Sequence, residues 1–142
     1  MSLKEVKEYF RKYNLENRIK EFDVSSATVE LAAKALNTEG KRIAKTMAFM
    51  VNDNAILIVT SGDMKIDNHK YKTLFGVKAK MLTQDELIEI IGHPMGGVCP
   101  FAIKNNVKVY LDISLKRFAT VFPACGSSNS AIELSIPELE KY

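Results

Sequence analysis

The sequence predicts an α+β fold: a curled, barrel-like mixed sheet, mainly antiparallel, flanked by helices in a single domain over residues 1–142. Three observations carry this. The 142 residues, 46% hydrophobic and 26% charged, suffice for one ordinary core without covalent staples. Residues 42–60 read as two strands around the turn Asn52-Asp53-Asn54, a hairpin. Helical and strand-like segments do not alternate regularly along the chain, so a doubly wound parallel sheet is not expected.

Each element has a local reason. Ser2 with Glu5 forms a capping-box pattern before a helix reaching about Tyr13, with Leu3, Val6, Phe10 and Tyr13 on one stripe. Thr28 caps a second helix, VELAAKALN, which buries Val29, Ala32, Ala33 and Leu36; such small residues suit close packing on a sheet. In KRIAKTMAFMV, residues 41–51, period two places Ile43, Lys45, Met47, Phe49 and Val51 on one face, and Arg42, Ala44, Thr46, Ala48 and Met50 on the other. AILIVTSG is apolar on both faces and reads as a central strand. Asp67 caps a helix through Phe75 that Gly76 ends, and KAKML reads as a strand. Thr83 with Glu86 caps a helix that turns Leu87, Ile90 and Ile91 inward and ends at Gly92. NVKVYLDIS alternates, ATVFPA and AIELS are strands around a glycine-serine turn, and SIPELEKY starts a last helical turn with Pro137.

Composition excludes several classes. No apolar run approaches a membrane span, and MSLKEVKEYF lacks the layout of a signal peptide, so a cytoplasmic location is expected. Two cysteines, Cys99 and Cys125, are too few for a disulfide framework and are read as reduced, buried thiols. EGKRIAKT lacks the glycine spacing of a phosphate-binding loop. His69, His93, Cys99 and Cys125 contain no close ligand pair, and neither metal nor cofactor is expected. No serine sits in a nucleophile elbow. Net charge is only +3, but residues 41–80 hold eight basic and three acidic side chains. That excess includes Lys65, Lys70, Lys72 and Lys78, which can receive a phosphate backbone if folding gathers them; a solvated face is the alternative.

Lys45 poses the functional question, because an ammonium on an apolar strand face either snorkels to solvent or borders a cavity. Two loops bear on the choice. GHPMGGVCPFA, residues 92–102, sets Gly96 and Gly97 between prolines and ahead of Phe101. ACGSSNSAIEL offers the amides and hydroxyls of Ser127 and Ser128 after Gly126. Each can bring bare amides against a ligand, or simply turn tightly. Beside an inward lysine they suggest an anion or carbonyl pocket.

AKT before FMV, then GGVCPFA, then FPACGSSNSAIELS, in this order, resemble the YbaK/ProX family of aminoacyl-tRNA editing domains over roughly residues 20–140. The resemblance implies a small α/β domain that hydrolyses wrongly charged amino acids from tRNA, either free-standing or within prolyl-tRNA synthetase. It implies that Lys45 is the essential lysine and that Thr46 follows it as in members favouring cysteinyl-tRNA(Pro). The glycine loop then corresponds to Gly96, Gly97, Val98 and Pro100, beside Phe101, and the late turn to Gly126, Ser127 and Ser128. The late loop CGSSNS departs from the glycine-rich basic loop of cysteine-specific members. Implied partners are tRNA, tRNA(Pro) foremost, and prolyl-tRNA synthetase. On this reading Lys45 holds the reacting end, amides near Gly96, Gly97 and Gly126 to Ser128 stabilise the oxyanion, and cysteinyl- or alanyl-tRNA(Pro) is the favoured substrate. A catalytically idle module binding a tRNA acceptor end or a synthetase is the second reading, and cleavage of an unrelated small ester the third.

Overall fold

The computed structural model describes residues 2–104 and 106–142. Helix α1 (Ser2–Arg11) buries Val6 and Phe10 completely, one turn apart on the predicted stripe. It stops before Tyr13, which leaves the helix and stacks on Tyr142 with ring centroids 4.4 Å apart. The cap expected of the Ser2 side chain lies outside the described residues. After a short 3₁₀ turn comes β1 (Ile19–Glu21), three residues with no readable pattern of their own. Helix α2 (Val29–Leu36) starts where Thr28 accepts from the Leu31 amide and ends at Asn37 in the left-handed conformation.

Strands β2 (Ile43–Val51) and β3 (Asn54–Ser61) form the predicted hairpin, with Lys45 opposite Thr60 and Val51 opposite Asn54. Helix α3 (Asn68–Phe75) is capped by Asp67 and ended by Gly76. The expected strand KAKML is a correction: one bridge, Phe49 to Met81, and the bonds Met50 N–H to Lys80 O and Leu82 N–H to Ala48 O attach it to β2. Thr83 and Glu86 make the predicted capping box for α4 (Gln84–Glu86), which passes into a π-helical turn, Leu87–Ile91, closed by Gly92 N–H donating to Leu87 O.

Strand β4 (Lys108–Leu111) runs parallel to β3, and β5 (Thr120–Pro123) parallel to β2 at Ile43 and Ala44. The expected strand AIELS divides at Glu133 into β6 (Ser130–Ile132) and β7 (Leu134–Ser135). Glu133 holds Arg42 and Thr120 between them. Strand β6 pairs antiparallel with β1, and β7 with β5. Helix α5 (Ile136–Lys141) starts at a Ser135–Glu138 capping box with Pro137 in its first turn. The main sheet has the order β4-β3-β2-β5-β7, and β1-β6 forms a second sheet. The result is a mixed α+β domain with a curled half-barrel sheet and helices outside. No helix among the described residues is long and apolar enough to cross a membrane.

Side-chain clusters explain where the sheet opens. Phe49, Met47 and Val51 pack with Tyr71 and Phe75 of α3, whereas Ile43 packs with Ala32 and Val29 of α2. Lys45 falls on the same face between the two helix-covered patches. It is half-buried rather than enclosed.

Candidate active site

A cleft of about 270 Å³ opens at Lys45. The outer edge of β2 pairs with β5 at Ile43 and Ala44 and with the 80–82 segment near Phe49. Among the described residues no strand covers that edge at residues 45–47. Because Ala48 O and Met50 N–H point toward the 80–82 segment, the period of the strand turns the Thr46 N–H and C=O toward the same open edge. The Thr46 hydroxyl is buried and has no hydrogen-bond partner among the described residues. Such a group costs free energy until something pairs with it.

Apolar walls surround this point. Ala32, Ile43, Ala44, Ala48, Leu87 and Phe122 line the cleft, and the exposed side chains of Met81 and Met95 flank it. Lys45 is the one titratable side chain among the described lining residues. Its ammonium donates to the Met64 carbonyl at 2.5 Å, and it makes no ion pair with an acidic side chain in the described structure.

The two loops singled out in the sequence meet here. Gly126 N–H donates to Gly97 O at 2.9 Å. A β-carbon on Gly97 would lie 2.5 Å from Ser127 N and 2.7 Å from Gly126 C, so only glycine permits the approach. That contact changes the expected role of the amides. Gly97 N–H donates to Pro94 O and Gly126 N–H to Gly97 O, so both serve the loops and neither is free for an oxyanion. The Gly96, Ser127 and Ser128 amides find no protein acceptor among the described residues.

Of the substrate-binding candidates, Thr46, Gly96 and Val98 line the cleft with Lys45. Pro100 and Phe101 do not: both are buried, and Phe101 packs edge-on to Phe10 at 4.7 Å in the main core. Gly97, Gly126, Ser127 and Ser128 are not among the lining residues. The Ser127 hydroxyl bonds Ser130 and Asn129, and Ser128 O accepts from Ser26 N–H. Sequence reasoning missed that Ser26, Ala27 and Thr28 form part of the lining. Phe22 N–H to Asn129 O and Ser26 N–H to Ser128 O tie this segment to the late turn; its run of small residues, SSAT, is the signal that was available.

Lys65, Lys70, Lys72 and Lys78 are all exposed on or beside α3. Lys65 and Lys70 border a groove shared with Thr60, Met64, Asp67 and Asp112. Lys72 and Lys78 flank a shallow depression with His69. Lys65 and Lys70 therefore adjoin the Lys45 end of the cleft through Met64.

The thiols lie in the core. Cys99 and Cys125 are fully buried, and burial pushes the Cys99 thiol up to about 12 and the Cys125 thiol well above its ordinary value. His93, also fully buried, sits with Nε2 2.7 Å from Phe101 O and 3.5 Å from Cys99 Sγ. A carbonyl only accepts, so Nε2 carries the proton and cannot take one from the thiol. Burial also lowers the histidine's affinity for a second proton. This is a packed pair and supplies no nucleophile. The described residues contain no group of three or more His, Cys, Asp or Glu placed to hold a metal.

The family model for the aminoacyl-tRNA editing domain matches residues 23–142, which includes every lining residue of the cleft. The chain belongs to this family. It is 54% identical over 143 aligned residues to the uncharacterized protein YwhH of Bacillus subtilis, covering all of this chain and 91% of that protein. A proline–tRNA ligase of Bacillus pumilus is 30% identical over 90 residues, 63% of this chain and 16% of the ligase. A solved structure described as a candidate trans-editing enzyme for prolyl-tRNA synthetase superposes with a TM-score of 0.87 at 27% identity, over 97% of this chain and 88% of the other.

Proposed function

We propose that this editing domain is a trans-acting aminoacyl-tRNA deacylase that hydrolyses the ester of a mischarged tRNA, cysteinyl- or alanyl-tRNA(Pro) foremost. The observation that carries the reading is Lys45: a half-buried cation with no acidic partner among the described residues, at the open edge of β2, next to Thr46 with its unpaired hydroxyl, in a cleft lined mostly by apolar residues together with Ser26, Thr28 and Ser130. A charge so placed is balanced by substrate, here the ester carbonyl or the terminal ribose. The Thr46 N–H on the same edge is the amide best placed to support developing negative charge. The small side chains Ala32, Ala44 and Ala48 leave room for the acyl group.

The described lining residues include no carboxylate, imidazole or thiol to act as general base. Attack then draws on the substrate itself, through the thiol of a cysteinyl group or a ribose hydroxyl that positions water. Selection rests on cleft size, worth about 1–3 kcal/mol per methylene. Likeness to a structure described as a trans-editing enzyme supports action in trans, and likeness to proline–tRNA ligases supports tRNA(Pro) and a prolyl-tRNA synthetase partner. Lys65, Lys70, Lys72 and Lys78 would hold acceptor-stem phosphates, in the cytoplasm where tRNA is charged.

The test is deacylation of a panel of mischarged tRNAs, with correctly charged prolyl-tRNA and free aminoacyl esters as controls. The expected result is loss of the cysteinyl or alanyl group from tRNA(Pro), with prolyl-tRNA spared. Tight tRNA binding without hydrolysis would instead make it a binding module, and equal cleavage of the free esters would make it a general esterase.

A further inference from the structure

The Lys45 ammonium is held by the carbonyl of Met64, in a turn that does not otherwise belong to the cleft. What fixes this turn is a side-chain network at the end of β3. Met64 N–H closes the turn on Ser61 O at 3.1 Å. The Ser61 hydroxyl donates to Asp63 Oδ1 at 2.7 Å, and Ser61 N–H donates to the Ser114 hydroxyl. Arg117 then clamps the whole: Nη2 donates to Asp63 Oδ1 at 2.6 Å and to the Ser61 hydroxyl, Nη1 donates to Asp63 Oδ2 at 3.2 Å, and Nε donates to Ser114 O. A bidentate fork on a carboxylate restricts orientation as well as distance. Behind the turn, a β-carbon on Gly62 would lie 2.1 Å from Gly40 O and 2.7 Å from Val29 Cγ1. The turn is therefore wedged against α2, whose Val29 lines the cleft.

We propose that Asp63 and Arg117 are positioning residues for Lys45, acting through the carbonyl of Met64. The proposal rests on the deacylase reading for its catalytic consequence, but its structural content stands on the network alone. Isolated surface ion pairs contribute little; this pair is joined to the Ser61 hydroxyl and the Ser114 carbonyl, and its output is the place of one ammonium. The Arg117 fork also holds the Asp63 carboxyl down to about 2, so the clamp stays ionised throughout the range of a deacylation assay. Loosening the turn frees the ammonium to swing over several positions, and misplacement by about 1 Å costs up to about 10²-fold in turnover.

The experiment compares Arg117→Gln, Arg117→Lys and Asp63→Asn in the wild-type and Lys45→Met backgrounds. Single-turnover deacylation is measured on the tRNA that wild type cleaves, and the Lys45 side-chain NMR signals, assigned by their loss in Lys45→Met, are followed in the free protein. Expected for Arg117→Gln is a fall of about 10- to 100-fold in the saturating rate, with half-saturation nearly unchanged. Arg117→Lys, which keeps the charge without the fork, loses less. In the Lys45→Met background the loss should vanish, because a residue acting through Lys45 has nothing left to position. The Lys45 signals should move or average in Arg117→Gln. An equal loss in both backgrounds, or unchanged Lys45 signals, overturns the proposal. Absence of deacylation by wild type would remove the deacylase reading, while the NMR comparison would still decide whether the clamp holds Lys45.

Discussion

Adding one methyl group to Gly97 tests the contact on which the cleft wall depends. The new β-carbon would meet Ser127 N at 2.5 Å, Gly126 C at 2.7 Å and Ser127 Cα at 2.8 Å. All three are backbone atoms, so no rotamer change relieves the clash. Overpacking costs ~1–3 kcal/mol, and separating the loops also breaks the 2.9 Å bond from Gly126 N–H to Gly97 O, worth about 1 kcal/mol. Gly97→Ala should therefore lose roughly 2–4 kcal/mol, a fall in melting temperature of about 5–15 °C for a domain of this size. Gly96→Ala is the control. Gly96 has φ +86, and the left-handed penalty alone is about 1–2 kcal/mol, but its β-carbon meets only one atom closer than 3.0 Å, the Ala27 methyl at 2.9 Å, a side-chain atom rather than backbone. Thermal melts of both variants, with deacylation measured below both transitions, should rank Gly97→Ala as the worse. A Gly97→Ala protein melting within about 2 °C of wild type would refute the reasoning.

Other consequences are as direct. Changing Lys65, Lys70, Lys72 and Lys78 to glutamine should weaken tRNA binding across sequences and flatten its salt dependence, by about one in slope for each phosphate left without its lysine; a titration series in salt with an unchanged slope contradicts this. Cys99→Ala and Cys125→Ala should each lower stability by about 1–3 kcal/mol yet keep deacylation per folded molecule, and lost turnover with normal folding would restore a thiol mechanism. Burial depresses the affinity of His93 for a second proton, so the unfolded chain takes that proton first. Stability should fall as pH drops below about 6.5, with His93→Asn flattening that part of a melting-temperature profile; identical profiles would show that another group carries the acid sensitivity.

Local signals located most elements, and long-range ones decided the rest. Thr28, Asp67, Thr83 and Gly76 start or end helices as their residue types demand, and period two put Lys45 on the correct face of β2. Strand β1 stayed hidden because its three residues carry no pattern and its partner Ile132 lies far along the chain from Ile19. KAKML has strand composition, yet β2 accepts it only at its far end. Glu133 splits AIELS because its carboxylate is needed by Arg42 and Thr120. At the site, the two glycine loops were readable as turns able to bring amides against a ligand, but their contact with each other, and which amides that contact consumes, was not. The gap beside Thr46 arises from two edge pairings made by distant segments, and the Asp63–Arg117 pair joins residues with no local relation. Neither leaves a mark in any window of sequence.

The most direct measurement is single-turnover deacylation of cysteinyl- and alanyl-tRNA(Pro) by wild type and Lys45→Met, with melts alongside. Methionine matches lysine in length and leaves no unpaired acidic group behind, so the melt should stay within a few degrees of wild type. Turnover should fall by about 10²–10³, the usual loss when a donor to developing charge is removed. Arginine at the same position should also fail, since a planar fork does not replace a compact ammonium in so small a cleft. Cleavage by Lys45→Met within a few-fold of the wild-type rate would contradict the account.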